Sequence, residues 1–369
     1  MVKGDSTPSG PMTKPRVLLI GHYPLDTLDR APKVRIMHMA ESLAKISTLT
    51  VIAGTRKERA IWLHEALRRR ILDSIDMVYV ESASSFATPA DFRFLWAVKH
   101  KAIPLAVYVR DYYQRFPKLY PPKNYRERVM KWLYVLTLFM YRHLADIIYV
   151  PSTALGQLVG GKEVRLLPPG GVLYPRLPLI KPSQQPEQWI LYVGAGGPYD
   201  GVDILINAVH KLHQSMPDVH LALVMRRAEW PKSPPVSYIT LVEAQGQDLE
   251  YWYARASVAV IPRRDTAYTR LAWPVKLMDY LSHGLGVIVT DQSEAARFVE
   301  RYQVGKIARP DSESLAKTLE SCLRSPKLLD LYAYNARRVI EQEHSWDHRA
   351  QILVADLQAK KSLGTKRGL

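Results

Sequence analysis

The sequence predicts an α/β protein of two doubly wound domains facing a cleft. Short apolar runs alternate with amphipathic stretches, and this alternation restarts after a proline-rich crossing near residues 175–186. A chain of 369 residues is ample for two cores, at roughly 150 residues or more per domain.

The first domain is read over residues 16–174. Residues 16–19 form a strand that opens into Gly21-His22-Tyr23-Pro24, residues 33–43 carry helical periodicity, and 49–53 give the next strand, a βαβ start. Strands at 77–80, 105–109 and 147–150 continue the series, with helices at 91–101 and 125–144 between them. LLPPGG at 166–171 leads into a linker over 175–188. The second domain, 189–340, repeats the pattern: strands at 189–193, 219–224, 239–242, 258–261 and 287–289, and helices at 202–213 and 249–254. Residues 1–15, rich in Gly, Pro, Ser and Lys without an apolar core, read as a disordered leader and not a signal peptide. Residues 361–369 form a basic tail.

Composition narrows the partners. Hydrophobic content of 47% with 23% charged residues is globular, and a formal charge of +16 with a pI near 9.7 implies an anionic partner. Cys322 is the only cysteine, so no intramolecular disulfide is possible and a reducing, cytoplasmic location is the simpler reading. Metal-ligand spacing is absent, so no metal or resident cofactor is expected. The longest near-apolar run, residues 132–141, is far short of the about 20 residues that cross a bilayer. Membrane attachment must then be peripheral. The segment 125–143 suits it, combining a long apolar stretch with Arg126, Arg128, Lys131 and Arg142, and the upstream FRFLWAVKHK points the same way; core packing is the alternative. The basic residues are scattered and no nucleic-acid-binding motif stands out, so nucleic acid is not the expected partner.

The richest stretch is PVKLMDYLSHGLGVIVTD at 274–291. If Pro274 opens a helix, Lys276, Asp279 and Tyr280 share one side at offsets of three and four; Gly284 to Gly286 end the helix, and 287–289 is a buried strand. A helix N-terminus with Lys276 beside it suits a diphosphate, and Asp279 a turn further in can accept hydrogen bonds from two ribose hydroxyls. The bland alternative is one more αβ unit carrying an exposed ion pair.

This stretch resembles the P-x-K-x-x-E-Y-x-x-x-G-x-P-V-V signature of GT-B glycosyltransferases of the family-4-like group, with Asp279 at the acidic position and Gly286 at the second proline. The resemblance runs from Arg16 to about Leu357, including ADIIYVPS at 145–152 and HSWDHRA near His344. It implies a GT-B fold of two Rossmann-like domains, with residues 341–360 as a C-terminal helix returning to the first. It also implies transfer of a sugar from a nucleoside-diphosphate sugar, UDP-linked by analogy, to a saccharide or lipid-linked acceptor, with retention favoured over inversion. Two departures matter. Ala195 and Asp200 stand where many relatives carry the arginine and lysine that bind phosphate, and Leu271 stands at the first carboxylate of an E-x7-E arrangement. A nucleotide-sugar epimerase or a catalytically silent scaffold is therefore the main alternative.

Other residues can fill the gap. Sheets of this kind bind ligands beyond the carboxyl ends of their strands. There, Gly194, Gly196 and Gly197 present bare backbone N–H groups, Lys276 supplies one charge, and Arg263, Arg264 or Arg270 supplies another. By position, Arg226 or Arg227 resembles a base or diphosphate contact. On the acceptor side stand His22, Tyr23 and Arg110, with Asp111 as the candidate base for the acceptor hydroxyl and Lys276 as the catalytic cation for the departing diphosphate. A structural Asp–Arg pair or a helix cap is the alternative for Asp111.

Overall fold

The computed structural model describes residues 14–27, 31–174, 187–231, 236–290 and 293–366. Residues 1–13 of the expected leader (1–15) and 175–186 of the expected linker (175–188) lie outside the described residues, and Gln188 at the end of that linker already opens a strand.

The first sheet holds β1 (Arg16–Gly21), β2 (Thr48–Ala53), β3 (Met77–Glu81), β4 (Leu105–Tyr108), β5 (Ile147–Val150) and β6 (Val164–Leu166), in the order β2-β1-β3-β4-β5-β6. Its helices are α1 (Ala31–Ile46), α2 (Arg56–Arg68), α3 (Pro89–His100), α4 (Tyr125–Leu144) and α5 (Thr153–Val159). The second sheet is ordered β12-β11-β10-β7-β8-β9. Its strands are β7 (Gln188–Val193), β8 (Val219–Val224), β9 (Ile239–Val242), β10 (Val258–Ile261), β11 (Val287–Val289) and β12 (Gly305–Ile307). Around them lie α6 (Val202–Ser215), α7 (Gln247–Arg255), α8 (Lys276–Ser282), α9 (Glu294–Arg301), α10 (Ser312–Leu323) and α11 (Pro326–Val339). Every neighbouring pair of strands is parallel. Helices cover both faces of each sheet, so the central strands are apolar throughout and carry a buried cluster on either side.

Local chemistry fixes the helix starts. Thr55 with Glu58, and Thr88 with Asp91, close capping boxes on α2 and α3, and the Asn124 side chain accepts from Glu127 N at the head of α4. The sequence expectation contains no α2, α5, β6, α9, β12, α10 or α11, and it differs from the structure at the C-terminal end. A π-helical turn, Ile340–His344, follows α11, and the last helix, α12, runs Trp346–Lys366, absorbing most of the expected basic tail. Trp346, Ala350, Leu353, Val354 and Leu357 form its apolar stripe and sit in the core of the first domain. The expected return helix thus starts five residues later and continues six further.

The crossing back is tight. Gly171 bridges Ser345, its N–H donating to His344 O at 2.8 Å and its carbonyl accepting from Trp346 N at 3.1 Å. A Cβ on Gly170 would lie 2.6 Å from Trp346 N, so LLPPGG ends in glycines because two backbones touch there. Arg349 is buried beside this crossing and donates to Pro168 O at 2.8 Å.

Strand order reverses between β1 and β3 in one sheet and between β7 and β10 in the other. The loops beyond these two switch points form the walls of the interdomain cleft.

Candidate functional site

The donor side is built from α8 and the turn after β7. Lys276 Nζ donates to Tyr192 Oη at 3.0 Å and lies 4.1 Å above that ring. A Cβ on Gly194, whose φ is +149°, would come within 2.4 Å of Lys276 Nζ, so the amine rests on bare backbone at the strand end. Burial draws the Lys276 amine down to about 8, against the pull of Asp200. Asp279, three residues on, is open to solvent at its side chain, yet enough protein surrounds it that desolvation pushes its carboxyl up to about 6 despite Lys276 nearby.

Several expectations are corrected. Tyr280 is fully buried, and its hydroxyl accepts from Val193 N at 2.8 Å; it pins α8 to β7 and cannot touch a donor. The start of α8 offers few free amides, because Leu277 N is bonded to Pro274 O and Met278 N to Val275 O. The glycine turn is also occupied: Gly196 N–H donates to Glu229 Oε2 and Gly197 N–H to Asp200 Oδ2, each at 3.0 Å, while Gly194 N–H donates to Val224 O. Of the arginines, only Arg263 is buried against the site, donating to Ala272 O at 3.0 Å and acting on the charge of Lys276. Arg270 is exposed and held bidentate by Asp265 at 2.7 Å, Arg226 pairs with Glu229 on the surface, and Arg264 pairs with Asp203.

On the acceptor side, Arg110 follows β4. Its guanidinium donates to Ser84 Oγ at 2.9 Å, to Tyr23 Oη at 3.3 Å and to Asp111 Oδ2 at 3.3 Å. Asp111 Oδ1 is buried and has no hydrogen-bond partner, which leaves an acceptor oxygen for a hydroxyl. His22 is corrected: its side chain is buried 3.9 Å from Asp91, which Arg59 grips at 2.7 Å, and burial lowers the imidazole to about 3. It is a neutral residue of the core wall.

Sequence reasoning missed what joins the halves. Tyr120, in the loop after β4, packs edge-on to Tyr268 at 4.9 Å and lies 5.7 Å from Tyr199, both in the second domain; Tyr199 Oη also donates to Leu119 O at 3.1 Å. Phe116 meets Tyr268 at 5.9 Å. Burial first, then Asp111, raises the Tyr268 phenol, and Arg263 and Asp200 both act on Tyr120; the aromatics thus lie between Asp111 of the first domain and Arg263 of the second. Ser152 Oγ donates to Leu271 O at 2.5 Å and Thr153 N to Glu294 at 2.7 Å, closing the domains at the end of β5. The density of Tyr, Phe and Pro in YVRDYYQRFPKLYPPK was the available signal.

Two doubly wound domains closing on a cleft with this site define a GT-B fold. Residues 187–325, the second domain, match the family model of the glycosyl transferases group 1. Among solved structures, the chain is similar to WaaG, a glycosyltransferase involved in lipopolysaccharide biosynthesis (TM-score 0.61, 15% identity, 91% of this chain and 98% of that one). It is also similar to Anabaena Alr3699/HepE in complex with UDP (TM-score 0.62, 14% identity, 94% and 100%). A third is the α,α-trehalose-phosphate synthase (UDP-forming) from Burkholderia vietnamiensis (TM-score 0.62, 9% identity, 95% and 99%). No curated protein matches the sequence. At these identities the structural likeness shows the fold.

The outer face of the first domain is unusual. α4 buries Tyr134, Thr137, Leu138, Tyr141 and Leu144, while Tyr125, Trp132, Leu136 and Phe139 are exposed on its other side. α2 packs on α3 and α3 on α4, and each presents an exposed tryptophan: Trp62, Trp96 and Trp132. Among the described residues no helix is long and apolar enough to cross a membrane.

Proposed function

We propose that this protein transfers a sugar from a nucleoside-diphosphate sugar to a saccharide or lipid-linked acceptor. One observation carries the reading: a half-buried ammonium, Lys276, rests on Gly194 at the carboxyl end of β7, with the accessible Asp279 carboxylate three residues along the same helix. The cation faces where a diphosphate would sit, and the carboxylate would accept hydrogen bonds donated by a ribose diol. UDP is the nucleotide we expect, since the HepE structure is a UDP complex.

The chemistry is the heterolysis of the bond between the anomeric carbon and the β-phosphate oxygen, with the electron pair leaving on phosphate. Lys276 and Arg263 stabilise that charge, and the acceptor oxygen bonds to the anomeric carbon. In the retaining course we favour, the departing phosphate takes the acceptor proton; Asp111 takes it in the inverting course. No metal is required by either. The exposed Trp62, Trp96, Trp132 and Phe139, beside Arg93, Arg126 and Arg128, suit an anionic membrane surface on the cytoplasmic side, where a lipid-linked acceptor is found.

Incubating the protein with UDP-sugars, with and without a membrane-lipid extract, and following nucleotide and lipid by mass spectrometry and sugar configuration by proton NMR checks the reading. UDP released only with extract, and sugar mass gained by a lipid, is the expected result. Conversion of the donor without extract would make the protein an epimerase, and no consumption under either condition a scaffold.

A further inference from the structure

The turn after β7 already carries anions. The Glu229 carboxylate reaches it from the loop after β8, 33 residues away in sequence, and accepts from Gly196 N–H at 3.0 Å; Asp200 accepts from Gly197 N–H at the same distance. The glycines leave room for this approach: a Cβ on Gly196 would lie 2.6 Å from the Glu229 backbone carbonyl, and one on Gly197 would lie 2.8 Å from Asp200 Oδ2. The second glycine contact is the carboxylate oxygen itself. Asp200 also stands at the position where the resemblance implies a phosphate-binding lysine, and its charge acts on both Lys276 and Tyr192.

A carboxylate oxygen on a backbone N–H is the chemical equivalent of a phosphate oxygen there. Resting on the donor reading, we infer that Asp200 and Glu229 are a built-in competitor for the donor's phosphates, which must displace them from Gly197 and Gly196 to gain those amides. Asp200 further discriminates between charge states. A free nucleoside diphosphate ends in a phosphate carrying about −1.5 to −2 near neutral pH, whereas the sugar-bearing donor has an esterified β-phosphate with a single charge. The same carboxylate therefore opposes the product more than the donor, and hastens release of the diphosphate after transfer.

Calorimetric titration of the full chain with UDP, GDP and inorganic pyrophosphate decides this, comparing wild type with Asp200→Asn, Asp200→Ala and Glu229→Gln. UDP and pyrophosphate should bind roughly tenfold more tightly to the Asp200 variants, the size of a relieved like-charge contact, with a smaller gain for Glu229→Gln. Asp200→Asn keeps an oxygen for Gly197 N–H, so it remains informative should Asp200→Ala fail to fold. Wild-type binding of UDP with equal or weaker affinity in folded Asp200→Asn would overturn the competitor role and leave the donor reading standing. Absence of binding by all three probes to every protein would overturn both.

Discussion

Lys276 and Asp279 were legible because helical offsets of three bring side chains together whatever the surroundings. Tyr280 carried the same signal and misled. Residues 276, 279 and 280 straddle one helix side, and only the position of β7 decides that Tyr280 turns to Val193 while Asp279 turns to the cleft. His22 misled for a similar reason: its place after β1 is shared by residues that face the cleft and residues that face the Arg59–Asp91 pair beneath. The carboxylates on Gly196 and Gly197 were illegible, as one comes from a distant loop.

The titration of Lys276 gives a prediction with opposite signs in two measurements. Its folded pKa of about 8 lies below the ordinary 10.5, because burial disfavours the charge. The native state then binds fewer protons than the unfolded chain between these values, so unliganded stability from this group rises with pH across that window. UDP affinity should do the reverse, falling as pH rises through about 8 and the cation is lost, while Lys276→Arg holds its affinity over the same range. Paired calorimetric and denaturation series check both; affinity independent of pH would remove Lys276 from the phosphate contact. Asp279, raised to about 6, destabilises in the other window: stability falls as pH climbs from about 4 to about 6.

Asp111→Asn separates two proton acceptors. If Asp111 is the base, the variant keeps UDP affinity and loses about a hundredfold to ten-thousandfold of transfer rate. Full turnover at saturating acceptor, the outcome expected for retention, leaves the departing phosphate in that role.

At the level of elements, α4 was legible in extent and illegible in orientation, because its sequence is apolar on both sides. Burial of Tyr134, Leu138 and Tyr141 resolves it. Replacing Trp132, Leu136 and Phe139 by glutamine should leave the melting transition in place and abolish flotation with vesicles of anionic lipid. Leu138→Ala, in contrast, should cost about 2–5 kcal/mol of stability, as large-to-small changes in a packed core do. A triple variant that still floats would detach this face from membrane binding. The short strands β6 and β12, three residues each, left too little pattern to be read, and the charged α2 owes its start to Thr55 more than to an apolar stripe.

Across the whole molecule, the element order and the two sheets followed from alternation of strand and helix, which parallel sheets enforce through their crossovers. The closure of one domain on the other did not. It depends on Tyr120 against Tyr199 and Tyr268, and on Ser152 against Leu271, contacts between loops about 80 to 150 residues apart that no local periodicity encodes. Those loops set Asp111 near Tyr268 and Arg263 near Tyr120, and the proposed transfer depends on nucleotide bound between the two domains. Titrating UDP into the wild-type protein and into Lys276→Ala decides the matter: binding by the wild type and a loss of about tenfold to a hundredfold in the variant, the value of one charge-assisted hydrogen bond, is the expected result. Equal affinity in the two folded proteins would contradict it.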